Sequence, residues 1–172
     1  ARLLYEKRDP AALPLLSNMV ASSQMPLARI HALQALAGTG LLREVHVLKA
    51  LQDKDAQVRA HAVRAAEVLA ASGAITEATW TQMKNLASDN YIRVRWQLAL
   101  SAGALPRADK PRLLTQLLTR DANNAWMQDA VLSSLGDGAG NMFALLAGDA
   151  RFRTDPIGMA FLRRLGGMIG VK

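Results

Sequence analysis

The sequence predicts an all-α protein built as a stack of helical hairpins, and three observations predict it. First, four segments repeat one pattern: Ala28-Arg29-Ile30-His31-Ala32-Leu33, Val58-Arg59-Ala60-His61-Ala62-Val63, Val94-Arg95-Trp96-Gln97-Leu98-Ala99 and Trp126-Met127-Gln128-Asp129-Ala130-Val131. Second, their second residues stand 30, 36 and 32 positions apart, and six positions before them lie Ser23, Asp53, Asp89 and Asp121. A period of this length with helical patterning means hairpins too small to bury an apolar face alone, so that neighbours must cover one another. Third, nowhere do β-branched residues alternate over a strand's length between turn residues.

The elements follow in order. Residues 10–22 read as a helix capped by Asp9, with Pro10 at its first position and Pro14 early enough to do little harm. Residues 1–6 read as the tail of an earlier helix. Pro26 opens the next helix, which runs to about Ala37 and stops at Gly38-Thr39-Gly40, and Leu41 to about Leu51 returns. Asp55 starts a helix through about Ala71, Ser72-Gly73 breaks it, and Ile75 to Ala87 returns with Thr76 as a cap. Residues 91–104 run out again, residues 109–119 return, and Asn123 or Asn124 begins another pair. Gly136, Gly138 and Gly140 mark the loosest turn, before a short helix at 141–148, and Pro156 opens a last helix to about 168.

Counted from the Arg or Met, offsets −1, +3, +4, +6 and +7 form one apolar helix face. It carries Ala28, Ala32, Leu33, Ala35 and Leu36, then Val58, Ala62, Val63, Ala65 and Ala66. The third copy has Val94, Leu98, Ala99, Ser101 and Ala102, and the fourth Trp126, Ala130, Val131, Ser133 and Ser134. Trp126 is thereby expected in the core. Offsets +2 and +5, such as His31, Gln34, His61 and Arg64, point to solvent.

Composition narrows the function classes. The 172 residues are 51% hydrophobic but only 5% aromatic, which suits helices packed through Ala and Leu. This length reads as a single unit, residues 1–172, of about four to five repeats. With no cysteine, thiolate metal sites, disulfides, covalent haem attachment and cysteine nucleophiles are excluded within the chain. Apolar runs are short and broken by charge, so no membrane span is expected. Arg2, Glu6, Lys7 and Arg8 interrupt any leader pattern at the start. The net charge of +7 admits nucleic acid or acidic partners, yet the 21 basic residues are scattered along the length.

No chemistry converges in the sequence, and neither a catalytic residue nor a cofactor is expected. His31 and His61 hold equivalent positions, but neighbouring helices lie about 8–10 Å apart, far for two ligands on one zinc. Ser22, Ser23, Ser133 and Ser134 lack a nucleophile elbow, and Glu44, Glu67 and Glu77 fall on different helices. Gly136-Asp137-Gly138-Ala139-Gly140 follows a helix and lacks the Lys of a phosphate loop. Tyr91, Arg93 and Trp96 could stack a base or pack a partner. Return helices of such a stack line its concave side, where Arg43, His46, Lys49, Lys84, Lys110, Arg112 and Arg120 would make a mildly basic surface.

The recurring Asp, then a small or β-branched residue, Arg and an Ala-rich helix resemble HEAT repeats, in particular the short phycobilisome-lyase-like kind. The motif stands as Asp53…Val58-Arg59…Ala62 and Asp89…Val94-Arg95…Leu98, with Ser23…Ala28-Arg29…Ala32 weaker and Asp121…Trp126-Met127…Ala130 lacking the Arg. The resemblance covers about residues 20 to 165. It implies a right-handed α-solenoid in which Arg29, Asp53, Arg59, Asp89, Arg95 and Asp121 form a ladder between repeats. The runs from Asp89 to Ser101, Trp126 to Leu135 and Phe161 to Gly170 resemble the HEAT region of large bacterial propeller and c-type-cytochrome dehydrogenase-like proteins. That narrower resemblance implies a fragment of a longer periplasmic protein. The expected function is a non-catalytic scaffold or spacer that contacts proteins or neighbouring domains. The alternative is a nucleic-acid-binding relative resembling HEAT-like DNA glycosylases. Leu3 and Leu4 near one end, and Met168 and Ile169 near the other, are apolar where a capping repeat would be polar.

Overall fold

The structure is a computed structural model and describes residues 10–170. Every regular element in that range is helical. The chain divides into two compact units between Leu98 and Ala99.

The first unit holds α1 (Ala12–Ser22), α2 (Pro26–Thr39), α3 (Glu44–Leu51), α4 (Ala56–Ala71) and α5 (Glu77–Asn85). A 3-10 turn (Leu86–Ser88) follows, then α6 (Ile92–Ala102), which contains the unit boundary. α1 begins later than its proline suggested: the Pro10 carbonyl accepts from the Leu13 N–H at 3.0 Å from outside the helix. The Asp9 cap and the helix tail expected at 1–6 lie outside the described residues. α4 and α5 are capped by side chains. The Asp55 carboxylate accepts the Gln57 and Val58 N–H groups at 2.8 and 3.2 Å, and Thr76 Oγ1 accepts from Ala78 at 3.1 Å. Gly40 ends α2 at φ 77°, where an L side chain would be strained, and Leu41 N–H closes the turn onto the Leu36 carbonyl at 2.9 Å.

α2 packs on α1 across residues 23–25, and α4 packs on α3 across residues 52–55. α1 also packs on α3, α3 on α5, and α2 on α4. The close pairs therefore flank the Asp-type turns, whereas the glycine breaks suggested pairs such as 26–37 with 41–51. The cause is local. Asp53 accepts the Asp55 N–H at 2.8 Å and reverses the chain within the turn, while extended backbone at Arg43 carries α3 away from α2. On α2 and α4 the expected stripe is buried: Ala32, Leu33, Ala35 and Leu36, then Val58, Ala62, Val63, Ala65 and Ala66. Burying each Leu or Val contributes about 2 kcal/mol, and the alanines between them let the helices approach.

The second unit holds α7 (Lys110–Arg120), α8 (Ala125–Ser134), a 3-10 turn (Gly136–Gly138), α9 (Ala139–Gly148), α10 (Ala150–Thr154) and α11 (Pro156–Ile169). α7 packs on α8 and α9, α9 on α10 and α11, and α10 on α11. Leu114, Leu117, Leu118, Val131, Met142, Leu146, Phe161 and Leu165 fill the core. Asn124, Asp149 and Asp155 cap α8, α10 and α11 through their side chains.

Three expectations give way in this unit. Residues 136–140 are no loose turn: Gly138 is helical at φ −78°, Gly140 lies within α9, and only Gly136 takes a positive φ of 52°. α10, nucleated by the Asp149 cap, was not foreseen. Trp126 is 74% exposed, and its neighbour Met127 is fully buried in its place. The equivalent Arg29 and Arg95 are buried as well, whereas Trp126 and Ser133 are exposed on the same helix as Met127. At the end of α11, Met168 and Ile169 are exposed.

Candidate functional site

The repeated arginines do one job at successive turns. Arg29 donates from Nε and Nη2 to Asp53 Oδ2 and Oδ1 at 2.6 and 2.7 Å, and from Nη1 to the Ser23 carbonyl at 2.7 Å. Arg59 donates from Nε and Nη2 to Asp89 Oδ2 and Oδ1 at 2.6 and 3.0 Å. Its Nη1 donates to the Asp53 and Lys54 carbonyls at 2.7 and 3.1 Å. Arg95 Nη1 donates to the Asp89 carbonyl at 2.6 Å. One edge of the planar fork thus grips the carboxylate one copy on, while the remaining nitrogen pins the turn six residues back. A lysine ammonium could not do both.

These pairs are shielded: side-chain exposure is 5% and 11% for Arg29 and Asp53, and 14% and 4% for Arg59 and Asp89. Burial pushes both carboxyls up, but the guanidinium bonds, the Asp55 or Tyr91 N–H and the nearby cations outweigh it and hold them below the usual range. The partner bonds likewise raise both arginines. Of the residues expected in the ladder, the structure joins Arg29 to Asp53 and Arg59 to Asp89, and brings Arg95 to the turn of Asp89. Asp121 is half-buried at the C-terminus of α7, and Met127 has no guanidinium to offer a further copy.

The expected basic surface is less uniform. Arg43, Lys49, Arg112 and Arg120 are exposed. Lys84 is half-buried, lies 5.7 Å from the centre of the Trp80 ring and pairs with Glu77 at 3.6 Å. His46 does not belong to this surface: it is 6% exposed. Its Nδ1 accepts the Arg43 N–H at 3.0 Å, satisfying an orphan donor of the first turn of α3. Ser17 Oγ donates to the Leu13 carbonyl at 2.6 Å, so the His46 Nε2–H at 2.9 Å is the donor to that hydroxyl.

Burial, with the Arg43 charge adding to it, lowers the His46 pKa below its ordinary value. The folded chain therefore binds this proton less well than the unfolded chain. The stabilisation is present above the unfolded value of about 6.5 and is lost as pH falls below it. Urea titrations from about pH 7.5 down to pH 5 should show falling stability, and His46→Gln should remove that share of the slope. An unchanged slope in this variant would refute the assignment.

Glu44 forms a link that the sequence did not show. Its Oε1 accepts the Thr76 hydroxyl, the Thr79 hydroxyl at 2.5 Å and the Thr76 N–H at 3.3 Å, tying α3 to α5. Burial pushes this carboxyl up, and the threonine bonds bring it below its ordinary value. Its partners lie more than thirty residues away, beyond the reach of helical periodicity.

Comparison with protein-family models, curated proteins and solved structures finds no match.

A groove of about 720 Å³ opens in the first unit beside the Arg59–Asp89 pair. α4 lines one wall with Ala56, Gln57, Ala60 and His61, and α6 lines the other with Ile92, Arg93, Trp96 and Gln97. Those are the same offsets, −3, −2, +1 and +2, in consecutive copies. Small alanines face a large Ile and Trp, which opens the space. Tyr91 at its edge is 59% exposed, with the Arg59 guanidinium 5.9 Å from its ring centre. In the second unit a cleft of about 690 Å³ contains Asp121, Asp149 and Asp155. The latter two already accept backbone N–H groups as helix caps. Among the described residues no group of three His, Asp or Glu side chains could hold a metal ion, and no helix is long and apolar enough to cross a membrane.

Proposed function

We propose that the chain is a HEAT-type helical-repeat scaffold, without catalysis of its own, that contacts other proteins or neighbouring domains. The Arg–Asp pairs carry this reading. Two consecutive copies place an arginine in the same forked bond to the aspartate of the next copy, which is what a stack of like units requires. The packing of α1 on α3, α3 on α5 and α2 on α4 supports the same arrangement. On its resemblance to such proteins, the chain serves as the helical spacer of a larger propeller- and cytochrome-bearing oxidoreductase. Among the described residues, the buried or half-buried Arg29, Glu44, His46, Asp53, Arg59 and Asp89 are committed to turns and inter-helix ties, which favours a binding role over an enzymatic one.

Cross-linking and mass spectrometry on the native protein test this. The exposed amine of Lys49 and the half-buried amine of Lys84 are expected to link to another polypeptide or a neighbouring domain. Absence of such links, together with duplex DNA binding that weakens steeply with salt, would overturn the scaffold in favour of a nucleic-acid role.

A further inference from the structure

We infer that the groove between α4 and α6 is a docking site for an acidic peptide segment carrying an apolar side chain. This rests on the scaffold reading and names the partner's chemistry. The ladder itself builds the site. Asp89 fixes the turn before α6 by accepting the Tyr91 N–H at 2.9 Å, and the Arg59 it holds lies against the Tyr91 ring. Tyr91 is thus presented at the groove edge, 59% exposed, beside Ile92 at 40%. These two residues, Trp96 and the Ala60 wall give the groove its apolar lining.

Charge selects the occupant. Lys54 and Arg93 are exposed and form no ion pair among the described residues. Asp55, the carboxylate in the groove, is bound by the N–H groups of Gln57 and Val58. Burial, with the neighbouring Arg64 and His31 adding to it, lowers the His61 pKa below its ordinary value. The lining therefore presents two cations around an apolar slot, with Gln57 as an amide partner for peptide backbone. A nucleic acid needs a file of cations along its phosphates, whereas two cations match the carboxylates flanking one apolar residue.

The test uses the 172-residue chain and a fluorescein-labelled peptide in which Leu is flanked on both sides by Glu, read by anisotropy. Binding in the micromolar range is expected. The double variant Lys54→Glu and Arg93→Glu should weaken it by at least about tenfold and should favour the Lys-flanked counterpart. Both side chains are exposed, so the fold should be kept, and circular dichroism verifies this. A second double variant, Arg112→Glu and Arg163→Glu, removes the same charge from exposed positions of the second unit and should leave binding nearly unchanged. Equal losses in the two variants would show a general charge effect and overturn the groove, as would no binding at all. Peptide binding that survives Lys54→Glu and Arg93→Glu overturns the groove but leaves the scaffold reading standing. Binding of labelled oligo-dT in place of the peptide overturns both.

Discussion

Asp89→Asn should lower the free energy of unfolding by about 3 kcal/mol, within the range for breaking a shielded ion pair from one side. The substitution is chosen because an amide oxygen can still accept the Tyr91 N–H, so the turn survives and the lost charge is isolated. Arg59 then keeps its bonds to the Asp53 and Lys54 carbonyls and an amide oxygen for Nη2, but it loses the opposing charge, and Nε faces an amide N–H in a site where the arginine side chain is 14% exposed. Geometry alone would not predict so large a cost. Arg164 and Asp129 approach equally closely, at 2.7 Å, but are 48% and 62% exposed. Water and salt reduce that pair to about 0.5 kcal/mol or less. Burial, not distance, separates the two.

Urea denaturation of Asp89→Asn, Arg59→Met and the double variant tests this. The double variant should lose less than the sum of the singles, because it leaves neither charge alone. The pH dependence carries a second signature. Since the folded Asp89 pKa is depressed, its contribution is fully present above the unfolded value of about 3.9 and is lost as pH falls through the folded value. Asp89→Asn should lack that component of acid unfolding. A loss below about 0.5 kcal/mol, or additive singles, would mean the pair is ornamental.

The Arg and Asp positions were legible because they recur at fixed offsets, but that they form a ladder was implied only by the resemblance to HEAT repeats, and the pairing of each arginine with the aspartate of the next copy was not read from the sequence. What was not legible has physical causes. The apolar offsets assume that every copy is covered alike, and the fourth is not: Met127 is buried where Arg29 and Arg95 are also buried, but Trp126 is exposed where Val58 and Val94 are in the core. His46 reads as one more basic residue on a solvated face, yet its ring nitrogen meets an unpaired backbone N–H and is buried. Glycine content at 136–140 suggests an open turn, but glycine also tolerates helical dihedrals, and most of the segment adopts them. The groove was half legible. Tyr91, Arg93 and Trp96 are visible as a cluster, but its width depends on Ala56 and Ala60 standing opposite on the preceding copy.

Gly158→Ala should be the most damaging single methyl in the second unit. Helix propensity alone points the other way: alanine in place of glycine within a helix gains about 1 kcal/mol. Gly158 is buried in the first turn of α11, where its N–H donates to Asp155 Oδ2 at 2.8 Å. A Cβ there would stand 2.0 Å from the Phe152 carbonyl oxygen and 2.9 Å from its carbon. Backbone cannot rotate away as a side chain can, so α10 and α11 must separate. That separation disturbs the edge-on contact of Phe152 and Phe161, whose ring centres lie 6.4 Å apart at 83°. Overpacking of this kind costs about 3 kcal/mol and outweighs the propensity gain. Gly167, on the same helix with nothing within 4 Å of its Cβ position, is the control. Gly167→Ala should hold or slightly raise the melting temperature while Gly158→Ala lowers it by several degrees. Thermal unfolding of the two variants decides the matter, and a Gly158→Ala chain as stable as Gly167→Ala would show that α10 and α11 do not pack as closely as described.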